Sequence, residues 1–170
     1  MEHRHEETVN ALLASYREVG GINHLDAANL PSKSDIAAIC SELLQLLFPG
    51  FFAEEGITEA ELPMITTERV TNVRNRLCVE LGRSLRYKHG DTKDHRTESA
   101  RICREFLRRL PAVRKLLQTD VAAAYQGDPA AQCPDEVILA YPGLEAIAIQ
   151  RLAHVLYREN VPLIPRMMTE

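Results

Sequence analysis

The chain has 170 residues, 45% hydrophobic and 26% charged, enough for one domain with its own core and ordinary for a soluble globular protein. No apolar run reaches the ~18 residues that a membrane-spanning helix needs. The polar start MEHRHEETVN lacks the charged-then-apolar build of a secretory leader, so a cytoplasmic protein with no membrane partner is expected. The net charge of −4 is unevenly spread: residues 1–62 carry 11 acids against 3 bases, residues 63–115 carry 6 against 14, and residues 116–170 carry 7 against 3. A basic middle could meet nucleic acid or a phosphate group. It lacks interleaved aromatics and any nucleic-acid motif. Basic helices lying against acidic ones, within the chain or across an oligomer, are the favoured reading, and no nucleic-acid partner is expected.

Apolar spacings of three and four dominate, so the chain reads as helices joined by short turns. Val9, Leu12, Leu13 and Tyr16 mark a first helix, closed by Gly20-Gly21. After the loop INHLDAANLP, Ser32 or Ser34 caps a second helix bearing Ile36, Ile39, Leu43, Leu44 and Leu47. Pro49-Gly50 ends it in the turn FPGFF, and EEGITEAELP is a connector with about one helical turn. Thr66 or Thr67 opens what reads as the longest helix, striped by Val70, Val73, Leu77, Leu81 and Leu85. Gly82 inside it costs about 1 kcal/mol against alanine, which points to a closely packed neighbour. KHGDTKDH then breaks the pattern. Ala100, Cys103, Phe106 and Leu107 form the next helix up to Leu110-Pro111. Val113, Leu116, Leu117, Val121 and Ala124 form another, with Gly127 as its C-cap glycine. CPDEVILAY is a short helix with Pro134 near its first turn. Pro142-Gly143 intervenes, and a last long helix carries Leu144, Ile147, Ala148, Arg151, Leu152, Val155 and Leu156. There is no sustained strand alternation, internal repeat or low-complexity segment. The expected class is all-α, a bundle of about seven to eight helices with short connections.

Candidate chemistry is sparse. His89, Asp91, Asp94 and His95 sit close enough in HGDTKDH to ligate a metal, but a solvated polar loop is the favoured reading and no metal site is expected. His3 and His5 belong to a terminus expected to be mobile. His154 has no Ser or Cys nucleophile one helical turn away and reads as a packed, hydrogen-bonded structural histidine. Cys40, Cys78, Cys103 and Cys133 show no CxxC spacing and read as buried reduced thiols. Glycine-rich phosphate loops, GxSxG and HExxH are absent from the sequence, so the residues alone compose no complete active site. One stretch, AYQGDPAAQ, stands apart. Pro129 restricts Asp128 to extended conformations and holds its carboxylate away from the helix that ends at Gly127. Two readings stay open for Asp128: a cap on the PAAQ turn, or a carboxylate presented to a cation.

The strings TDVAAAYQGDPAA, DEVILAYPG, AIAIQRLAHVLY and VPLIPRMMTE cover about 60 residues in order. They closely resemble the N-terminal helical domain of the serine O-acetyltransferases, acyltransferases of cysteine biosynthesis. Upstream, LPSKSDIAAICSELLQLLFPGFF resembles the longer N-terminal extension of one bacterial branch. The expected division is therefore residues 1–60 as extension and 61–170 as helical domain, in one all-α unit. The resemblance implies transfer of an acetyl group from acetyl-CoA to the hydroxyl of L-serine. It also implies a C-terminal left-handed β-helix and assembly into hexamers, as dimers of trimers. In the family an Asp-Pro pair of the helical domain reaches the edge of the active site, where the aspartate faces the serine ammonium. Carried over, the substrate-binding residues are Asp128 and Pro129, and with the resemblance in hand the substrate role is favoured over the turn cap. This chain departs from the family at Gln150, where a histidine is frequent, and near Leu144, where an aromatic is frequent. It ends at RMMTE, where the family continues into hexapeptide repeats that carry the catalytic histidine, its aspartate partner and the acetyl-CoA site. No catalytic residue and no bound cofactor are thus expected in these 170 residues. Acetyl-CoA would be the cosubstrate of the full-length enzyme, and this piece alone is expected to be inactive. The alternative is a non-catalytic helical self-association or interaction module.

Overall fold

Seven α-helices follow one another in the computed structural model, which describes residues 2–53, 55–90 and 94–170. They are α1 (Glu2–Glu18), α2 (Lys33–Leu47), α3 (Leu62–His89), α4 (His95–Gly127), α5 (Pro134–Ala140), α6 (Pro142–Arg158) and α7 (Ile164–Thr169). A single 3-10 turn, Gly20–Ile22, follows α1, and no strand occurs among the described residues. The all-α class read from the apolar spacing is the class observed.

One apolar cluster holds α2 to α7 together. Ile36, Ile39 and Leu43 of α2, Val73, Leu77 and Leu81 of α3, Ile102, Phe106 and Leu117 of α4, and Ala148, Leu152 and Leu156 of α6 are all buried in it. Val137 of α5 and Ile164 of α7 close its ends. Helix α1 forms as expected but contributes nothing to this core. Its stripe lies open, with Val9 at 53% and Tyr16 at 49% exposure.

Several local expectations change. The proline at 111 does not end a helix: α4 runs through it for 33 residues and is longer than the 28-residue α3. An internal proline costs roughly 3 kcal/mol. Here Ile102, Cys103 and Phe106 before it and Val113, Leu117 and Val121 after it are all buried in the one apolar cluster, and burying both halves outweighs that local cost. Helix α3 opens at Leu62-Pro63, a turn before Thr66. The Thr67 and Thr71 hydroxyls donate back to the carbonyls of Pro63 and Thr67, both at 2.8 Å. Of the two candidate serines it is Ser32 that caps α2, accepting from the Asp35 N–H at 3.2 Å. Its own N–H donates to the buried Glu80 carboxylate at 2.7 Å, pinning the start of α2 to α3. No neighbour presses on Gly82: a Cβ there would meet nothing within 4 Å. Pro142 does not separate helices but starts α6, with Tyr141 the one residue between α5 and α6.

Acidic and basic segments do meet. Arg76 of α3 lies 4.0 Å from Glu42 of α2, and Arg83 of α3 lies 4.0 Å from Asp35 of α2. Arg101 of α4 reaches Glu159 past the end of α6 at 2.7 Å. Among the described residues no helix is long and apolar enough to cross a membrane.

Candidate functional site at the end of α4

The loop from Asp128 to Cys133 joins α4 to α5, and its shape starts from Pro129. Asp128 takes φ −116° and ψ 105°, the extended backbone that a following proline demands. Gly127 is the last helical residue and has no left-handed φ; Gly50 and Gly90 are the positive-φ glycines among the described residues. The expected C-cap glycine is thus not a left-handed one, because the turn out of the helix is made by the Asp-Pro step. Beyond it the chain closes on itself: the Ala131 N–H donates to the Asp128 carbonyl at 3.1 Å, and the Ala130 N–H donates to Asp128 Oδ1 at 2.9 Å. This is an Asx turn. At the far side, Glu136 in the first turn of α5 accepts the Gln132 N–H at 2.8 Å.

The second carboxylate oxygen of Asp128 accepts from the Tyr141 hydroxyl at 2.5 Å. Tyr141 sits at the α5–α6 junction, partly buried against the core. The phenol, and then the Ala130 N–H, hold the Asp128 carboxyl below its ordinary range. In return the Asp128 hydrogen bond pushes the Tyr141 phenol up to about 12. Asp128 is half-buried. A carboxylate has about four acceptor positions; two are used here, so the group keeps capacity for a cation. Beside Tyr141 lies a cavity of about 350 Å³ bordered by Asp120, Ala124, Gly143, Leu144 and Ile147. Asp120 is taken up by Arg151, which reaches it bidentately at 2.6 and 2.7 Å. A larger apolar groove of about 900 Å³, among Cys40, Phe52, Ile149, Met167 and Met168, borders α2, α6 and α7 and shares no residue with the Asp128 loop.

The other candidates resolve differently. Asp91 lies outside the described residues. Asp94 caps α4, accepting from the Thr97 hydroxyl at 2.9 Å and the Arg96 N–H at 3.0 Å. His95 is buried with a ring nitrogen 2.6 Å from the Gly90 carbonyl. Among the described residues, no three His, Cys, Asp or Glu side chains are grouped to hold a metal ion. His5 is exposed on α1, and the side chain of His3 lies outside the described residues. His154 is not packed inside: it is exposed on α6, its ring stacked on Tyr157 at 6.2 Å. Cys103 is buried and Cys40 and Cys78 half-buried, but Cys133 is exposed, because it precedes α5 in the open loop. Burial pushes the Cys40 thiol up to about 11 and that of Cys103 higher still, so neither is a ready nucleophile. Gln150 is exposed and Leu144 buried. Tyr141 is the residue that sequence reasoning missed; its place in DEVILAYPG, directly before Pro142, was its one visible mark.

No family model matches the chain. The plasmid serine acetyltransferase of Synechococcus elongatus is 32% identical over 151 residues, 83% of this chain and 46% of that relative. The serine acetyltransferase of Bacillus licheniformis is 43% identical over 56 residues, 33% of this chain and 26% of that relative. Among solved structures, serine acetyltransferase 1 of Entamoeba histolytica in complex with L-cysteine matches with a TM-score of 0.61 at 28% identity, over 76% of this chain and 44% of that one. Isoform 3 from the same organism, in complex with cysteine, matches at 0.60 and 23% identity, over 76% and 44%, and supports the fold. The chain spans less than half the length of these relatives. By sequence and by fold, the chain is a homologue of the serine acetyltransferases, which it matches along their N-terminal helical region.

Proposed function

We propose that these residues form the assembly and substrate-flanking part of a cytoplasmic serine O-acetyltransferase, with residues 1–60 as its extension and 61–170 as its helical domain. The parent reaction is acetyl-CoA plus L-serine giving O-acetyl-L-serine plus CoA. Asp128 pairs with the ammonium of serine, and Pro129 keeps its backbone extended. The serine hydroxyl oxygen attacks the thioester carbonyl and its proton passes to a general base. The tetrahedral intermediate then collapses, breaking the C–S bond and releasing CoA. The base and the acetyl-CoA site are assigned to a further part of the enzyme, and this domain binds no cofactor.

The observation that carries the reading is the Asp128 carboxylate itself. It sits at the C-terminal end of a 33-residue helix with no basic residue in the last turn. A helix C-terminus bears partial negative charge and disfavours an acid there, so the helix does not explain this one. In the full-length enzyme, Asp128→Ala is expected to lower kcat/KM for serine by about 30- to 100-fold and to leave the KM for acetyl-CoA within about twofold. Steady-state kinetics with each substrate varied checks this, and equal effects on both would overturn it.

The second reading, a non-catalytic self-association module, is favoured by the uncovered stripe of α1. Both readings include self-association, as a dimer of trimers in the enzyme. Sedimentation of the 170-residue chain tests that element, and a strictly monomeric species at high concentration would count against it. Acetyl transfer by these 170 residues alone would overturn the assignment of the chemistry to a further domain.

A further inference from the structure

We propose that Tyr141 is a positioning residue of the serine site, its phenol clamping the Asp128 carboxylate in a single orientation for the substrate ammonium. This rests on the substrate role proposed for Asp128. The clamp is built from two directions. Oδ1 is tied to the Ala130 N–H of its own loop at 2.9 Å, and Oδ2 to the Tyr141 hydroxyl at 2.5 Å. One bond on each oxygen fixes both side-chain torsions of the aspartate, which a single bond would leave free to rotate.

Tyr141 is itself anchored. Its N–H donates to the Val137 carbonyl at 3.4 Å and its carbonyl accepts from the Leu144 N–H at 3.0 Å. Its ring packs against the core, so the hydroxyl is delivered from fixed backbone. A phenylalanine would fill the same space, and the hydroxyl adds only the bond to Asp128. None of the ion pairs among the described residues uses Asp128. A substrate ammonium would be its cation. The charged groups near the pair compete for neither partner: Glu136 of α5 is a further negative charge facing Tyr141, and Asp120 of α4 is held by Arg151 of α6.

The test compares Tyr141→Phe and Asp128→Asn in the full-length enzyme. Tyr141→Phe is expected to raise the KM for serine about three- to tenfold, with kcat and the KM for acetyl-CoA within about twofold. The acid limb of the serine KM should move to higher pH, because Asp128 loses the donor that holds its carboxyl down. The double variant should bind serine no worse than Asp128→Asn alone. If Asp128→Asn raises the serine KM and Tyr141→Phe does not, this inference fails while the substrate reading stands. If Asp128→Asn leaves serine unaffected, the substrate reading fails and takes this inference with it. A readout without turnover uses the 170-residue chain, with carbon-13 labels on the tyrosine and aspartate side chains. In Tyr141→Phe the Asp128 carboxyl should titrate at higher pH. In Asp128→Asn the Tyr141 phenol should fall from about 12 toward its ordinary 10. That second arm serves even where Tyr141→Phe fails to fold, and a phenol that titrates unchanged overturns the clamp.

Discussion

The two ends of α4 each carry an aspartate, and they use it in opposite ways. Asp94, at the N-terminal end, gives its carboxylate to the Thr97 hydroxyl and the Arg96 N–H of the helix it begins. There a negative charge meets free N–H groups and the positive end of the helix dipole. Asp128, at the C-terminal end, faces the opposite dipole and binds nothing in its own helix; its partners are the next loop and a phenol 13 residues on. The first aspartate is explained by the helix that contains it. The second is placed against the helix electrostatics by the Asp-Pro step and by its hydrogen bonds to the next loop and to the α5–α6 junction. Local accounting thus separates an acid explained by its own helix from one held by residues beyond it.

Substitutions along α4 can break this contrast. The largest effect on stability belongs between the two ends: Leu117→Ala empties a fully buried position and is expected to cost ~2–5 kcal/mol in chemical denaturation. Next is Asp120→Ala, which strips the half-buried Arg151 of its bidentate partner and should cost about 1 kcal/mol. Asp94→Ala should lower Tm by about 2–4 °C at neutral pH through loss of the cap. The Thr97 hydroxyl, then the Arg96 N–H, hold the Asp94 carboxyl below its ordinary value. Its contribution is therefore complete above the unfolded-chain value near ~4 and lost as pH falls through the lower folded value. Thermal melts of wild type and Asp94→Ala should converge at the acid end of that range. Asp128→Ala likewise removes two hydrogen bonds, from the Ala130 N–H and the Tyr141 hydroxyl, and should lower Tm by a similar few degrees, while it should be the most damaging to serine use. A loss of Tm with serine use unchanged would make Asp128 a second structural cap and erase the contrast.

Much of this was legible in the chain. The spacing of Ile36, Ile39, Leu43 and Leu47 marks α2 and its buried face together, because burial repeats with the helical period. The extended backbone of Asp128 follows from Pro129 by local sterics alone. Pro111 departs from the local rule that prolines end helices, because the buried residues continue on both sides of it. Helix α1 was legible as a helix, but periodicity does not say whether a stripe is covered, and this one is not. His154 lies beside an apolar stripe yet points out, because membership of a helix face is angular and exposure depends on which neighbour arrives.

The sequence by itself determined the all-α class, the buried stripe of α2 and the extended Asp-Pro step, since each depends on residues within one or two turns. Only the tertiary structure decided that α4 is one helix, that α1 stands outside the core and that Tyr141 reaches Asp128. Those depend on which surfaces meet. The Asp128–Tyr141 bond forms only after α5 has turned the chain back, and no periodicity or motif spacing records that return.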